Sequence, residues 1–216
     1  MHAEGTFIVF EGCDGTGKST NIARMARCLR DNGFAPLTTR EPGGTPIGEQ
    51  VRSILLDRKN SGMSMLAEAL LYAASRAQLV SEVIMPALNR GDVVVCERYF
   101  YSSIAYQAAA GGLDPGFVRA INEWATQGVL PDVVILLDMD PEASLHRRYT
   151  GRDRIETRRL EYHRAVRNAY LRLAESDRRF RVIDASRSEE DVYRDVIAAV
   201  KGLLVMPGRA GREQPG

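Results

Sequence analysis

Gly12-Cys13-Asp14-Gly15-Thr16-Gly17-Lys18-Ser19, with Thr20 after it, is the stretch on which the reading of this chain turns. It fits the spacing G-x-x-x-x-G-K-[ST]. Before it runs a short apolar, partly β-branched segment, residues 6–10, and after it Ile22, Met25, Ala26 and Leu29 recur at helical spacing. Strand, glycine loop and helix is the context that this spacing needs. The glycines let backbone N–H groups turn inward around phosphate oxygens, and the helix N-terminus adds its positive end. Lys18 is then expected to reach the β- and γ-phosphates and Ser19 to ligate Mg²⁺. Residues 12–20 are expected to bind a nucleoside triphosphate.

Working outward, the same alternation continues. Residues 34–39 read as a second strand, followed by the turn-rich Glu41-Pro42-Gly43-Gly44-Thr45-Pro46 and a helix over 47–56. Residues 65–88 are apolar at helical period and lead into the continuous apolar run 93–96. Helices are expected over 101–110 and 115–127, the latter with Asp114 as N-cap and Pro115 at its first position. A fourth strand over 133–137, helices over 142–149 and 158–175, a fifth strand over 180–183 and a closing helix over 189–204 complete the pattern. Apolar strands joined by helical crossovers predict α/β architecture: a five-stranded parallel sheet flanked by helices on both faces, with ligands at the carboxyl ends of the strands. One domain over 1–204 is expected, with residues 205–216, which lack apolar periodicity, as a flexible tail.

Composition agrees with a globular chain: 216 residues, 44% hydrophobic and 26% charged. No apolar run nears the ~18 residues of a membrane span, since 133–137 is stopped by Asp138. Met1 to Gly5 is neither basic nor apolar enough for a secretory signal, which points to the cytoplasm. Cys13, Cys28 and Cys96 form no C-x-x-C pair, so neither a disulfide framework nor a zinc site is indicated. A net charge of +1 excludes a globally basic nucleic-acid binder, yet residues 147–181 hold 12 Arg against five acidic residues. Phosphoryl transfer spreads charge over equatorial oxygens, and arginines closing over them stabilise it, so this segment is read as an Arg-rich lid. The base-reading N-K-x-D of a guanine-nucleotide switch is absent, and a small-molecule kinase fits best.

Several separated motifs then carry a resemblance to the thymidylate kinase family, across about residues 6–204. They are Phe10-Glu11 with the phosphate loop, Thr39-Arg40-Glu41-Pro42-Gly43-Gly44-Thr45 and Tyr72-Ala73-Ala74-Ser75-Arg76-Ala77-Gln78. Later come Glu97-Arg98-Tyr99, Ser102-Ser103-Ile104-Ala105-Tyr106-Gln107, Leu136-Leu137-Asp138, Asp153-Arg154-Ile155-Glu156 and Ile183-Asp184-Ala185. The resemblance implies a P-loop nucleoside-monophosphate kinase that moves the ATP γ-phosphoryl group to dTMP. It implies a dTMP site in which Tyr72 stacks on the base, Arg76 donates to a pyrimidine carbonyl, and Ser103 and Gln107 lie at the base edge. Tyr106 would crowd the sugar 2′ position, and Arg98, Arg40 and Arg52 would surround the acceptor phosphate. Lys18, Arg98, Asp14, Arg148 and Arg152 are the implied catalytic set, with Arg147, Arg148, Arg152 and Arg154 in a short lid over 147–156. Some members carry an arginine inside the phosphate loop; here that position is Gly15, which makes the lid the source. The family pattern has Asp before the arginine where this chain has Glu97, so an outer-shell Mg²⁺ role for Glu97 needs room for one more methylene. Mg²⁺ as cofactor, ATP and dTMP as substrates, a homodimer, and neither nucleic acid nor membrane as partner are further implications.

Two other readings are open at this stage. One is a deoxynucleoside kinase, which the chain resembles through Glu41-Pro42 and Glu97-Arg98 and whose nucleoside hydroxyl would need Glu41 or Glu97 as its base, or another nucleoside-monophosphate kinase. A non-catalytic nucleotide-binding regulatory module would bind ATP without turnover.

Overall fold

Five parallel strands stand in the order β2-β3-β1-β4-β5: β1 Thr6–Glu11, β2 Leu37–Arg40, β3 Val93–Glu97, β4 Val133–Asp138 and β5 Phe180–Asp184. The computed structural model describes residues 5–147 and 153–203. β1 is central, pairing Thr6 with Val93 on one side and Ile8 with Val133 on the other. Burial on both faces explains why its sequence is a continuous apolar run: Phe7 and Val9 enter one core cluster, Ile8 and Phe10 the other.

The helices divide between those clusters. α1 (Lys18–Asp31) and α9 (Glu189–Val200) send Ile22, Met25, Leu29, Val192 and Val196 into the second. α3 (Met65–Leu79), α4 (Met85–Asn89), α5 (Phe100–Ser103) and α8 (Leu160–Ser176) cover the first, where Leu79, Tyr99, Tyr101, Val166 and Tyr170 pack. The chain therefore leaves β1 toward one face and β3 toward the other. The crevice this opens lies at the carboxyl ends of β1 and β3, where an open α/β sheet binds its ligands. α2 (Pro46–Leu56), α6 (Pro115–Thr126) and α7 (Pro141–His146) complete the set. Among the described residues no helix is long and apolar enough to cross a membrane.

The predicted sheet is the one observed, and each strand extends at its carboxyl end by one residue, Glu11, Arg40, Glu97, Asp138 or Asp184. All five additions are charged, which is why apolar patterning stopped short of them. The second strand starts at Leu37 rather than at residue 34; Pro36 cannot donate to the ladder. The helix expected over 65–88 is interrupted by a π turn over Val80–Ile84. Pro86 follows, and its ring cannot accept the ordinary position of the Glu82 carbonyl four residues back. A second π segment, Ile104–Ala110, follows α5, and a 3₁₀ turn over Arg58–Asn60 was not anticipated. The helix expected over 142–149 ends at His146, and its last two residues, like the whole of the proposed tail, lie outside the described residues.

Candidate active site

The loop between β1 and α1 is built around positive φ angles. At Gly12 (φ 136°) a Cβ would lie 2.4 Å from the Leu137 carbonyl oxygen, and at Gly15 (φ 82°) 2.0 Å from that of Ser144. The loop is thus pressed against β4 and α7, and position 15 has no room for an arginine. Thr16 Oγ1 donates to the Cys13 carbonyl at 2.9 Å, closing the turn from inside. Lys18 Nζ donates to the carbonyls of Cys13 (2.9 Å) and Gly12 (3.2 Å). Burial pushes the Lys18 ammonium down and Arg98 adds to the shift, while Asp14 and Glu97 oppose it. α1 has no acidic residue in its first turn and no side-chain cap, so its leading N–H groups are left for an anion.

Beside the loop, Ser19 Oγ donates to Glu97 Oε2 at 2.9 Å. The next residue, Arg98, is one of two non-glycine residues with positive φ among the described residues (67°), a strained conformation of the kind found at functional sites. Its guanidinium spans the crevice: Nη2 meets Asp14 Oδ1 at 2.7 Å and Tyr106 OH at 3.3 Å, and Nη1 meets Ser102 Oγ and Tyr170 OH at 3.3 Å. Under it lies Glu11, fully buried. Glu11 Oε1 accepts from the backbone N–H of Tyr99 (2.9 Å) and Ser102 (3.3 Å), and Oε2 from Ser102 Oγ and Tyr170 OH, both at 2.7 Å. Burial raises the Glu11 carboxyl, and Arg98 with the hydrogen bonds holds the rise back.

A cavity of about 220 Å³ opens from this point. Asp14, Ser19, Glu97 and Arg98 line its mouth, with Arg40 and Arg52. Tyr72, Ser103, Tyr106 and Gln107 line it as well. Arg40 is held by both oxygens of Glu49 (2.9 and 3.0 Å), and Arg52 Nη1 by the Pro42 carbonyl (3.0 Å). Burial pushes the Tyr72 and Tyr106 hydroxyls up, keeping both neutral.

Arg76, implied as a donor to a pyrimidine carbonyl, is engaged by neighbouring side chains. It is 1% exposed and does not line the cavity. Nε donates to Glu41 Oε2 at 2.8 Å, Nη2 pairs with the same carboxylate, and Nη1 donates to Ser103 Oγ (3.1 Å) and to Asn122 Oδ1. Arg76 therefore stands one side chain behind the wall. Glu41, a candidate base for a nucleoside hydroxyl, is engaged by Arg76, and Glu97 by Ser19. Burial pushes Glu41 up to about 7, with Arg76 holding it down.

The lid arginines also separate. Arg154 is buried: Nε donates to the Leu55 carbonyl (2.8 Å) and Nη2 to Glu68 Oε2 (2.6 Å), so it anchors the segment to α2 and α3. Arg147 Nη1 donates to the Ala185 carbonyl at 3.1 Å. It lines a smaller cavity, about 50 Å³, together with Gly17, Thr20, Arg24 and Arg187. Arg148 and Arg152 lie outside the described residues. Sequence reasoning missed Glu68, Asn122, Tyr170, Arg187 and the part played by Glu11.

Comparison with known proteins supplies a separate line of observation. A family model described as thymidylate kinase matches residues 10–196. The chain is 49% identical over 212 residues to a thymidylate kinase of Symbiobacterium thermophilum, covering 97% of this chain and 99% of that protein. It is 48% identical over 206 residues to one of Halothermothrix orenii (93% and 99% covered) and 47% identical over 203 residues to one of Leifsonia xyli (93% and 96%).

Proposed function

We propose how this chain, which belongs to the thymidylate kinase family and transfers the γ-phosphoryl group of ATP to dTMP to give dTDP, divides that work among its residues. The observation that carries the proposal is Arg98, a cation held between the phosphate loop and a cavity walled by Tyr72, Ser103 and Gln107. ATP lies with its phosphates in residues 12–20 and Lys18 on the β- and γ-oxygens. Its base occupies the small cavity between Arg147 and Arg187, where planar guanidinium groups suit a flat ring. The thymine of dTMP stacks on Tyr72 with its edge toward Ser103 and Gln107, Tyr106 stands by the sugar, and Arg98 meets the 5′-phosphate, flanked by Arg40 and Arg52. A monophosphate is already anionic, so the site needs cations rather than a base, and the pairing of both candidate carboxylates supports that reading over a nucleoside kinase.

Mg²⁺ suits this site. Ser19 and Glu97 present neighbouring oxygens, the hard donors that Mg²⁺ prefers, and their 2.9 Å contact means the longer glutamate already reaches the serine. When bound, the ion neutralises charge on the β- and γ-phosphates. Asp14 holds Arg98 in line with the loop, and Lys18 and Arg98 draw the two phosphates together. Arg148 and Arg152 close over the transferred group and exclude water. The domain over 1–204, with 147–156 as its lid and the remainder as a tail, belongs to the same proposal.

A homodimer is also proposed. Ile47 and Ile54 on α2, Leu66 and Leu70 on α3 and Trp124 on α6 are exposed on three neighbouring helices, and Trp124 is 84% exposed. Leu70→Glu is expected to convert a particle of twice the 23.9 kDa chain mass into single chains in sedimentation; native protein sedimenting as single chains would overturn the dimer. Three free cysteines, two of them buried, suit a reducing cytoplasm.

The proposal is tested by ADP release from Mg·ATP with dTMP, dUMP, dCMP, dGMP, AMP and thymidine as separate acceptors. Turnover is expected to be highest with dTMP. Turnover with thymidine but not dTMP would move the protein to the nucleoside-kinase reading, and ATP binding without any turnover would favour a regulatory module.

A further inference from the structure

Glu68, on α3, is fully buried and has no part in the steps above. Arg154 Nη2 and Arg158 Nη2 both donate to its Oε2 at 2.6 Å, and Gln107 Nε2 donates to Oε1 at 2.8 Å. A carboxylate between two guanidinium groups has no proton to give, so it can only accept. That leaves the Gln107 amide one orientation, nitrogen toward Glu68 and oxygen away from it, since the reverse would bring two acceptors together. Gln107 lines the acceptor cavity, and no described residue donates to its amide oxygen. Ser103, four residues earlier, is polarised the opposite way. Arg76 can only donate, so the Ser103 hydroxyl accepts from it at 3.1 Å and its own proton turns elsewhere. The cavity wall thus offers a donor at Ser103 beside an acceptor at Gln107.

We infer that Glu68 is a positioning residue that selects the acceptor base, fixing Gln107 so that the wall takes a ring N–H beside a carbonyl and rejects a bare ring nitrogen beside an amino group. Thymine and uracil carry the first edge and cytosine the second. The inference rests on the cavity being the acceptor site. Through Arg154 and Arg158 the same carboxylate also ties this base-reading wall to the base of the lid segment.

Glu68→Gln tests it, because a carboxamide of nearly the same shape can donate or accept and so no longer dictates the Gln107 orientation. The expected result is a fall of about tenfold to a hundredfold in the kcat/KM preference for dTMP over dCMP. The preference for dTMP over dUMP stays unchanged, because these bases share the reading edge. A merely structural role would lower all three substrates together. If Glu68→Gln does not fold, Glu68→Asp keeps the charge between the arginines, withdraws it from Gln107 by one methylene, and is expected to shift the same ratio. A folded variant whose dTMP:dCMP ratio matches the native one, or whose dTMP:dUMP ratio moves as far, overturns the inference. Native enzyme that fails to use dTMP would instead overturn the acceptor-site reading, so the two failures are distinguishable.

Discussion

Lys18→Ala is expected to lower kcat by at least roughly 10²–10³, the scale set by removing one preorganised charge donor from a developing oxyanion. The fold should survive. Among the described residues Lys18 Nζ donates to two loop carbonyls, those of Gly12 and Cys13; losing two hydrogen bonds from a charged donor costs about 3–6 kcal/mol, offset because an ammonium no longer has to be buried. The catalytic loss is large because the ammonium is buried and its charge is poorly screened there. Arg98 cannot replace it, being held by Asp14 and two tyrosines on the acceptor side. ADP release at saturating substrates, with a thermal melt on the same sample, measures both quantities. Turnover within tenfold of the native enzyme would remove Lys18 from the mechanism.

Arg76→Ala carries the largest expected effect on stability. Its partner Glu41 stays buried with no cation beside it, and breaking such a pair from one side costs about 3–5 kcal/mol. For a chain of this size that corresponds to a fall in Tm of roughly 6–20 °C. The deficit should depend on pH in a defined direction. Burial already raises Glu41 to about 7 with Arg76 present, and without Arg76 the carboxyl rises further. Between the ordinary value of 4.5 and the raised one, the folded chain binds a proton that the unfolded chain has released. Unfolding free energy therefore falls as pH climbs through that window, and the variant should lose more Tm at pH 8 than at pH 6. Weaker dTMP binding should follow, because Ser103 loses the donor that orients its hydroxyl. An unchanged melt at both pH values would refute the buried-pair account.

Much of this was legible because it is periodic or local. The five strands show themselves as apolar runs, and the phosphate loop as a spacing whose glycines answer to particular backbone contacts. Tyr72 and Arg76 were readable as one helix face; Glu68, a further turn back on that face, was the overlooked signal. What sequence could not offer was the pairing of distant polar residues. Glu11 with Tyr170 spans 159 positions and Arg154 with Glu68 spans 86, and a glutamate in an amphipathic helix looks solvated until its burial is known. The surroundings of Arg76 were hidden for the same reason, since nothing in Tyr72-x-x-x-Arg76 tells that Glu41 and Asn122 close over the guanidinium.

The clamp of Glu11 on Tyr99 and Ser102 has a consequence for how far the reaction can run. Arg98 N–H donates to the Phe10 carbonyl at 2.8 Å, and Phe10 pairs with Glu97 across the sheet, so the donor loop and the acceptor arginine ride on adjacent strands locked at their ends. The strands that carry them lie one spacing apart, about 4.8 Å, and that pairing fixes the loop and the arginine relative to each other. With the base placed at Tyr72 as proposed above, a second phosphate on the acceptor is expected to collide with the donor's own.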